Sequence, residues 1–382
     1  MYLHSDLIDI DTEKQIRAMI SHSSLNHIRV MPDGHAGNGC CIGFTAILHS
    51  DCVVPSYVGG DIGCGILTYP LRKKKLNLKR VESIIKTIIP MGDGRGKSHS
   101  VPAVSESFIS RYLSQAQPEL DSMCMRYGVP EVSLDFEYFL SLCEKIGADV
   151  DSTIRSFGTL GSGNHFVEVN VDIVGTHYLT IHSGSRSFGM KLFEYHNAKV
   201  DRAKKCLTGA EAIDYFMDLI CAQYLAKMNR HIMLQLILRE LSVPFTYEDI
   251  LESTHNYIEF ADEIILRKGA ISAREGETCI IALNMKDGIA IGTGIGNPEW
   301  NYSCAHGCGR IMTRTEARRR INLKDYKKAM ENVVSTSVCE GTLDEAPQAY
   351  KDMNVVLQAI EPTMTLDSHL VSVINLKGTS SI

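Results

Sequence analysis

Residues 59–65 read Gly59-Gly60-Asp61-Ile62-Gly63-Cys64-Gly65, directly after the apolar run 53–58. Glycine opens backbone conformations that a Cβ forbids, so this density marks a tight turn or a close approach to something bound. Asp61 and Cys64 stand three apart in that turn and can converge on one cation. A hard oxygen beside a soft sulfur suits zinc, manganese, iron or cobalt better than magnesium or calcium. The plainer alternative is a hairpin turn with a buried thiol, because free cysteine is commonly a small core residue.

The chain around this turn has 382 residues, enough for one large α/β domain or two smaller ones. No internal repeat or low-complexity linker divides it, which favours a single domain over 1–382 with a helical insertion at about 191–241. A formal charge of -6 argues against a protein that coats nucleic acid indiscriminately, yet leaves room for a local basic groove. The visible basic runs, Arg72-Lys73-Lys74-Lys75 and Arg318-Arg319-Arg320, read as solvated faces. The twelve cysteines are scattered, so reduced thiols in a cytoplasmic protein are expected rather than a disulfide framework. No apolar run approaches the ~20 residues that span a bilayer, and no membrane association is expected.

Periodicity predicts a helix over 13–20, a glycine-rich loop over 31–39 carrying Asp33 and His35, and strands over 41–48 and 53–57. Helices are expected over 78–89, 105–113 and 136–146, with a flexible loop over 90–97 whose Gly-Arg-Gly-Lys segment lacks full phosphate-loop spacing. Strands over 166–169 and 178–181 follow the glycine-rich stretches 158–164 and precede 183–185. The Met-rich stretch 191–241 is helical, and its His196 and His231 read as surface or helix-packing residues. Strands over 279–283 and 289–291, a basic helix over 315–321, and a closing helix and strand complete the chain.

Four histidines differ from the rest. His165, His182, His255 and His306 lie beside Gly, Asn, Ser or Ala at the edges of apolar strands, where sheet proteins place their sites. Together with Asp61 and Cys64 they outnumber what one tetrahedral ion uses, and a pair of ions sharing Cys64 would account for the surplus. Paired metals clamp phosphoryl groups during in-line displacement. His306 has small neighbours and is followed by Arg310 and Arg314, as suits an imidazole that attacks an electrophile beside guanidinium forks that hold phosphate.

The ordered motifs Met31-Pro-Asp33-Gly-His35, Asp61-x-Gly-Cys64-Gly, Gly158-Thr-Leu-Gly-Ser-Gly-Asn164-His165-Phe-Val-Glu168, His182-Ser-Gly-Ser-Arg186, His255-Asn256, His306-Gly-Cys-Gly-Arg310, Tyr350-Lys-Asp and Lys377-Gly378 span nearly the whole chain. In that order they resemble the RtcB family of RNA-splicing ligases. The resemblance implies an α/β (α+β) fold with central mixed or antiparallel sheets. It also implies a GTP- and Mn²⁺-dependent ligase joining RNA 2′,3′-cyclic phosphate or 3′-phosphate ends to 5′-hydroxyl ends. By that likeness His306 would be the guanylylated nucleophile, and Asp61, Cys64, His165, His182 and His255 would hold two Mn²⁺. Asn164, Glu168, Tyr350 and Lys377 would form the guanosine pocket, and Arg155, Arg310 and Arg314 would contact RNA phosphate. Residues 283–288 look like the short bacterial branch, whose members are associated with RNA repair, and Cys308 stands where many members have Ala. A metal-dependent phosphoesterase that opens cyclic phosphates without ligation is the alternative, and it would not need His306.

Overall fold

The computed structural model describes residues 7–22, 24–48, 52–92 and 104–379. Helix α1 (Ile10–Ile20) starts at Asp9, whose carboxylate accepts from the Asp11 and Thr12 amides, one turn earlier than expected. Strands β1 (Leu25–His35) and β2 (Ile42–Leu48) follow, then β3 (Gly65–Pro70) and α2 (Leu78–Ile88). Helices α3 (Glu106–Leu113), α4 (Gln117–Tyr127), α5 (Phe136–Lys145) and α6 (Val150–Ser156) form one helical block, of which the sequence suggested only α3 and α5. Next come β4 (Phe166–Val171), β5 (His177–Ser183), α7 (Arg186–Asn197) and α8 (Ala210–Glu240). The C-terminal third holds β6 (Leu251–Thr254), β7 (Asn256–Phe260), β8 (Ile264–Lys268), β9 (Ala270–Ser272), β10 (Thr278–Asn284), β11 (Gly288–Gly294) and β12 (Ser303–Ala305). It ends with α9 (Arg314–Arg320), α10 (Leu323–Ala329), α11 (Met353–Ala359) and β13 (Met364–Leu376).

The strands build a four-stranded sheet in the order β1-β2-β8-β7, a seven-stranded sheet in the order β10-β11-β13-β4-β5-β3-β6, and the pair β12-β9. Every ladder between named strands is antiparallel, and helices pack around them, as the α/β (α+β) expectation has it. The seven-stranded sheet nearly closes: the Ser253 hydroxyl of β6 accepts from the Ile280 amide at 3.1 Å and donates to the Thr278 carbonyl at 3.2 Å, both on β10.

Helix α8 has 31 residues and is roughly 46 Å long at ~1.5 Å per residue. It is apolar on more than one side because its residues up to Ile232 pack in the core under α3 to α5 and its last turns, from Met233 to Leu238, in the core under β4 and β5. His196 and His231 are both buried packing residues, not surface ones. His196 Nε2 meets Asp218 Oδ2 at 2.7 Å, and His231 lies between the Tyr112 hydroxyl and Glu252. His196, Asp214 and Asp218 also form a group with metal-ligand spacing, but the Lys145 ammonium bonds both carboxylates and supplies the cation.

Three local expectations need correction. Residues 53–57 are not a strand: Val53 makes one bridge with Leu207 and Pro55–Tyr57 is a 3-10 turn, since Pro55 has no amide for a ladder. Residues 31–35 are not loop but the end of β1, an edge strand on which Pro32 is tolerated. Cys52 and Cys206 are joined by a disulfide, while the other ten cysteines are free. Most of the loop expected at 90–97, including Gly-Arg-Gly-Lys, lies outside the described residues. Among the described residues no helix is long and apolar enough to cross a membrane.

Candidate metal centre and nucleophile

The Gly59–Gly65 turn delivers Asp61 and Cys64 to the head of β3. Gly63 adopts φ +65°, and a Cβ there would lie 2.8 Å from Gln223 Cα and Ala226 Cβ of α8, so no larger residue fits the turn against that helix. His182 sits in β5, opposite Ile66 of β3 and Phe166 of β4, and His165 immediately precedes β4. His255 is the single residue between β6, an edge of the seven-stranded sheet, and β7, an edge of the four-stranded sheet. Its amide donates to the Cys64 carbonyl at 2.8 Å.

Cys64 Sγ lies 3.4 Å from His165 Nε2 and 3.2 Å from His182 Nε2. His165 Nε2 is 3.2 Å from Asp61 Oδ2, and His182 Nε2 is 3.3 Å from His255 Nε2. The five residues thus form two donor groups, Asp61-Cys64-His165 and Cys64-His182-His255, with the atoms of each within 4.8 Å of one another and Cys64 in both. His165 Nδ1 donates to the Leu160 carbonyl at 3.0 Å, which turns its Nε2 toward the sulfur and the Asp61 carboxylate.

Burial, reinforced by neighbouring imidazoles, pushes His182 and His255 well below the ordinary histidine range, so both rings are neutral donors. Burial also pushes the Cys64 thiol up, with the Asp61 carboxylate adding to it. Burial would raise Asp61 as well, but the charge and hydrogen bond of His165 outweigh it and hold that carboxyl well below its usual range. A close-packed set of two neutral imidazoles, a thiol and an ionised carboxylate with a third imidazole fits divalent ions of borderline softness, whose charge would favour the thiolate.

His306 follows β12 and stands over this cluster, its ring centroid 4.8 Å from that of His255. Asp33, fully buried at the end of β1, meets His306 Nδ1 at 2.7 Å. The same carboxylate oxygen accepts from the His306 and Gly307 amides at 3.3 Å each. Lys351 holds that end of β1 by donating to the carbonyls of Pro32 and Gly34, on either side of Asp33. With Nδ1–H committed to the carboxylate, His306 keeps its Nε2 lone pair free.

Asp61, His182, His255 and His306 all line one cavity of about 1000 Å³. Asn164, Tyr350, Lys377, Arg310 and Arg314 line it too, as do residues 282–285 at the start of the segment that resembles the short branch. Glu168 does not reach its surface. It is buried behind the cavity, accepts from Asn170 at 2.8 Å and Asn375 at 2.7 Å, and is pushed up to about 7 by burial. Arg155 is exposed on α6 and is not among the lining residues.

Two residues of this site have roles that the sequence alone does not assign: Asp33 as the partner of His306, and Glu345. Glu345 is buried at the foot of the cationic wall: Lys377 Nζ lies 3.0 Å away, Arg314 Nη1 3.1 Å and Arg310 Nη1 3.3 Å, and the Tyr350 hydroxyl donates to it at 2.8 Å. Burial would raise this carboxyl, but Lys377, Arg314 and Arg310 hold it at about 2. Glu345 therefore gathers three cations onto one wall, and Asp344, 2.9 Å from Arg314 and 3.2 Å from Arg318, is the second anion there, so four cations face two carboxylates. The one signal in the sequence was the acidic pair Asp344-Glu345 shortly before Tyr350.

The family model described as tRNA-splicing ligase RtcB matches residues 15–378. The RNA-splicing ligase RtcB of Escherichia coli K12 is 30% identical over 388 residues, covering 92% of this chain and 90% of that protein. The tRNA-splicing ligase RtcB of Nanoarchaeum equitans is 27% identical over 420 residues, covering 87% of this chain and 84% of that protein. The corresponding protein of Archaeoglobus fulgidus is 28% identical over 417 residues. With the match running almost from end to end, the chain belongs to the RtcB family of RNA-splicing ligases.

Proposed function

We propose that this RNA ligase joins ends bearing a 2′,3′-cyclic phosphate or 3′-phosphate to ends bearing a 5′-hydroxyl, using GTP and two Mn²⁺ and a guanylylated His306. The observation that carries the reading is the free Nε2 of His306, aimed by Asp33 into a cavity shared with two donor groups that meet at Cys64. Manganese held by Asp61, Cys64, His165, His182 and His255 would offset the charge that builds on phosphoryl oxygens.

The rest falls to the chain's own side chains. His306 Nε2 attacks the α-phosphorus of GTP; the P–N bond forms as the bond to the bridging oxygen breaks, and pyrophosphate leaves. Asp33 keeps Nδ1–H in place and stabilises the positive ring that results. Asn164, Tyr350 and Lys377 seat the guanosine, with Glu168 behind them. Arg310 and Arg314 receive the RNA phosphate, and Arg155 contacts the RNA farther out. A 3′-phosphate, formed by water when the end is cyclic, displaces His306 and takes the GMP. The 5′-hydroxyl then attacks the RNA phosphorus, loses its proton and expels GMP, so a hard condensation proceeds through steps with good leaving groups.

Incubation with α-labelled GTP and Mn²⁺ tests the reading. Acid-labile label on the protein, chased into joined RNA by matched ends, is expected; opening of cyclic phosphates with no labelled protein would instead favour the phosphoesterase. Asp33→Asn is expected to slow guanylylation by ~10³- to 10⁴-fold, the scale on which a histidine loses rate when its orienting carboxylate is neutralised. Its Mn²⁺ stoichiometry should stay unchanged, because Asp33 belongs to neither donor group.

A further inference from the structure

Helix α8 contributes nothing to the cavity lining, yet two of its residues touch the segments that carry four of the five metal donors. Asn229 and Arg230 are both fully buried. Arg230 Nη1 donates to the carbonyl of Gly63, just before Cys64, at 2.7 Å, and to that of Ser183, just after His182, at 2.8 Å. Its Nε donates to Glu252 on β6, the strand that immediately precedes His255, at 2.7 Å. Gly65 is part of the same fit, because a Cβ there would lie 3.1 Å from the guanidinium carbon.

Asn229 supplies the remaining tie. Its Oδ1 accepts from the Gly158 amide at 2.7 Å, and its Nδ2 faces the Thr159 carbonyl at 3.3 Å, the Ser183 hydroxyl at 3.1 Å and the Gly184 carbonyl at 3.2 Å. That hydroxyl donates to the Leu160 carbonyl, which also accepts Nδ1–H of His165. The side chain thus couples the turn before His165 to the turn after His182.

We propose that Asn229 and Arg230 are positioning residues for the metal centre, one buried dipeptide that fixes the spacing of the segments bearing Cys64, His165, His182 and His255. The inference rests on the reading that these residues hold ions. A guanidinium suits the task because its rigid planar fork holds three acceptors in fixed directions, whereas an ammonium is a point charge on a flexible stem and an alkyl chain donates nothing. Since Arg230 contacts the Cys64, His182 and His255 segments, its loss falls on that donor group first; the loss of Asn229 falls on His165 and His182, hence on both groups.

The test is a Co²⁺ titration of the full-length apo protein, followed by thiolate-to-cobalt absorption in the near ultraviolet and by equilibrium dialysis, with circular dichroism as the check on folding. Wild type is expected to develop the band and Cys64→Ala to lack it; identical titrations would overturn the metal-centre reading itself. Arg230→Met and Asn229→Ala are expected to bind Co²⁺ ~10- to 100-fold more weakly while folded, the usual cost of losing an outer-shell partner, and to shift the band. Met233→Leu, a buried change one turn along the same helix, should do neither. If the folded variants show a wild-type binding midpoint and band, even with lowered melting temperatures, Asn229 and Arg230 are ordinary core residues and the proposal is overturned. Should Arg230→Met not fold, Arg230→Lys and Asn229→Ala decide by the same criterion.

Discussion

His306→Ala is expected to abolish both protein labelling by α-labelled GTP and RNA joining, a loss on the order of 10⁴-fold or more, as when a covalent nucleophile is deleted. The same variant should retain Mn²⁺ at the wild-type stoichiometry. His306 is adjacent to His255 but belongs to neither donor group, its Nδ1 being committed to Asp33. Opening of a cyclic phosphate should survive, since that step needs no guanylate acceptor. Label that persists in His306→Ala would place the covalent step on another side chain, and loss of metal together with label would make His306 a ligand.

Cys64→Ala is expected to have the broader effect. Asp61, His165, His182 and His255 each serve one donor group, whereas Cys64 serves both, so its removal leaves each group short of the same sulfur. Ion affinity should fall at both positions by more than ~100-fold, beyond the upper end of what an outer-shell loss costs, and guanylylation should fall with it. His182→Ala is the comparison, because it takes a ligand from one group only and should leave one ion bound. Two ions retained in Cys64→Ala, by elemental analysis after desalting, would refute the shared role.

The donors were legible in the sequence for a definite reason. Asp61, Cys64 and His165 lie at strand ends among glycines, and His255 at a strand end between Thr254 and Asn256, where the chemistry of a polar residue stands out. Glu345 and Arg230 were not legible, because what makes each important is a set of partners far away in the chain. Glu345 in a short 3-10 segment meets Lys377, and Arg230 meets Gly63, only after folding. Within 191–241 a charged residue followed every few positions by apolar ones reads as a solvated helical face, whereas α8 is enclosed on several sides. The β-branched run before the glycine turn promised a strand that Pro55 forbids, and the Cys52–Cys206 pairing joins residues 154 apart, a connectivity that spacing does not encode.

His255 stands where the chain passes from one sheet to the other, and this makes the chemistry a matter of alignment between two slabs. Cys64, His165 and His182 ride on the seven-stranded slab, while Asp33, the partner of His306, rides on the four-stranded one. In the proposed mechanism the reach from imidazole to reacting phosphorus would therefore be set by how those slabs seat on each other. A misplacement of ~1 Å can cost ~10²-fold in rate, so greasy residues of α8 such as Ile220, in the core shared with the four-stranded sheet, and Leu234, in the core shared with the seven-stranded one, are held to tolerances that stability alone would never impose.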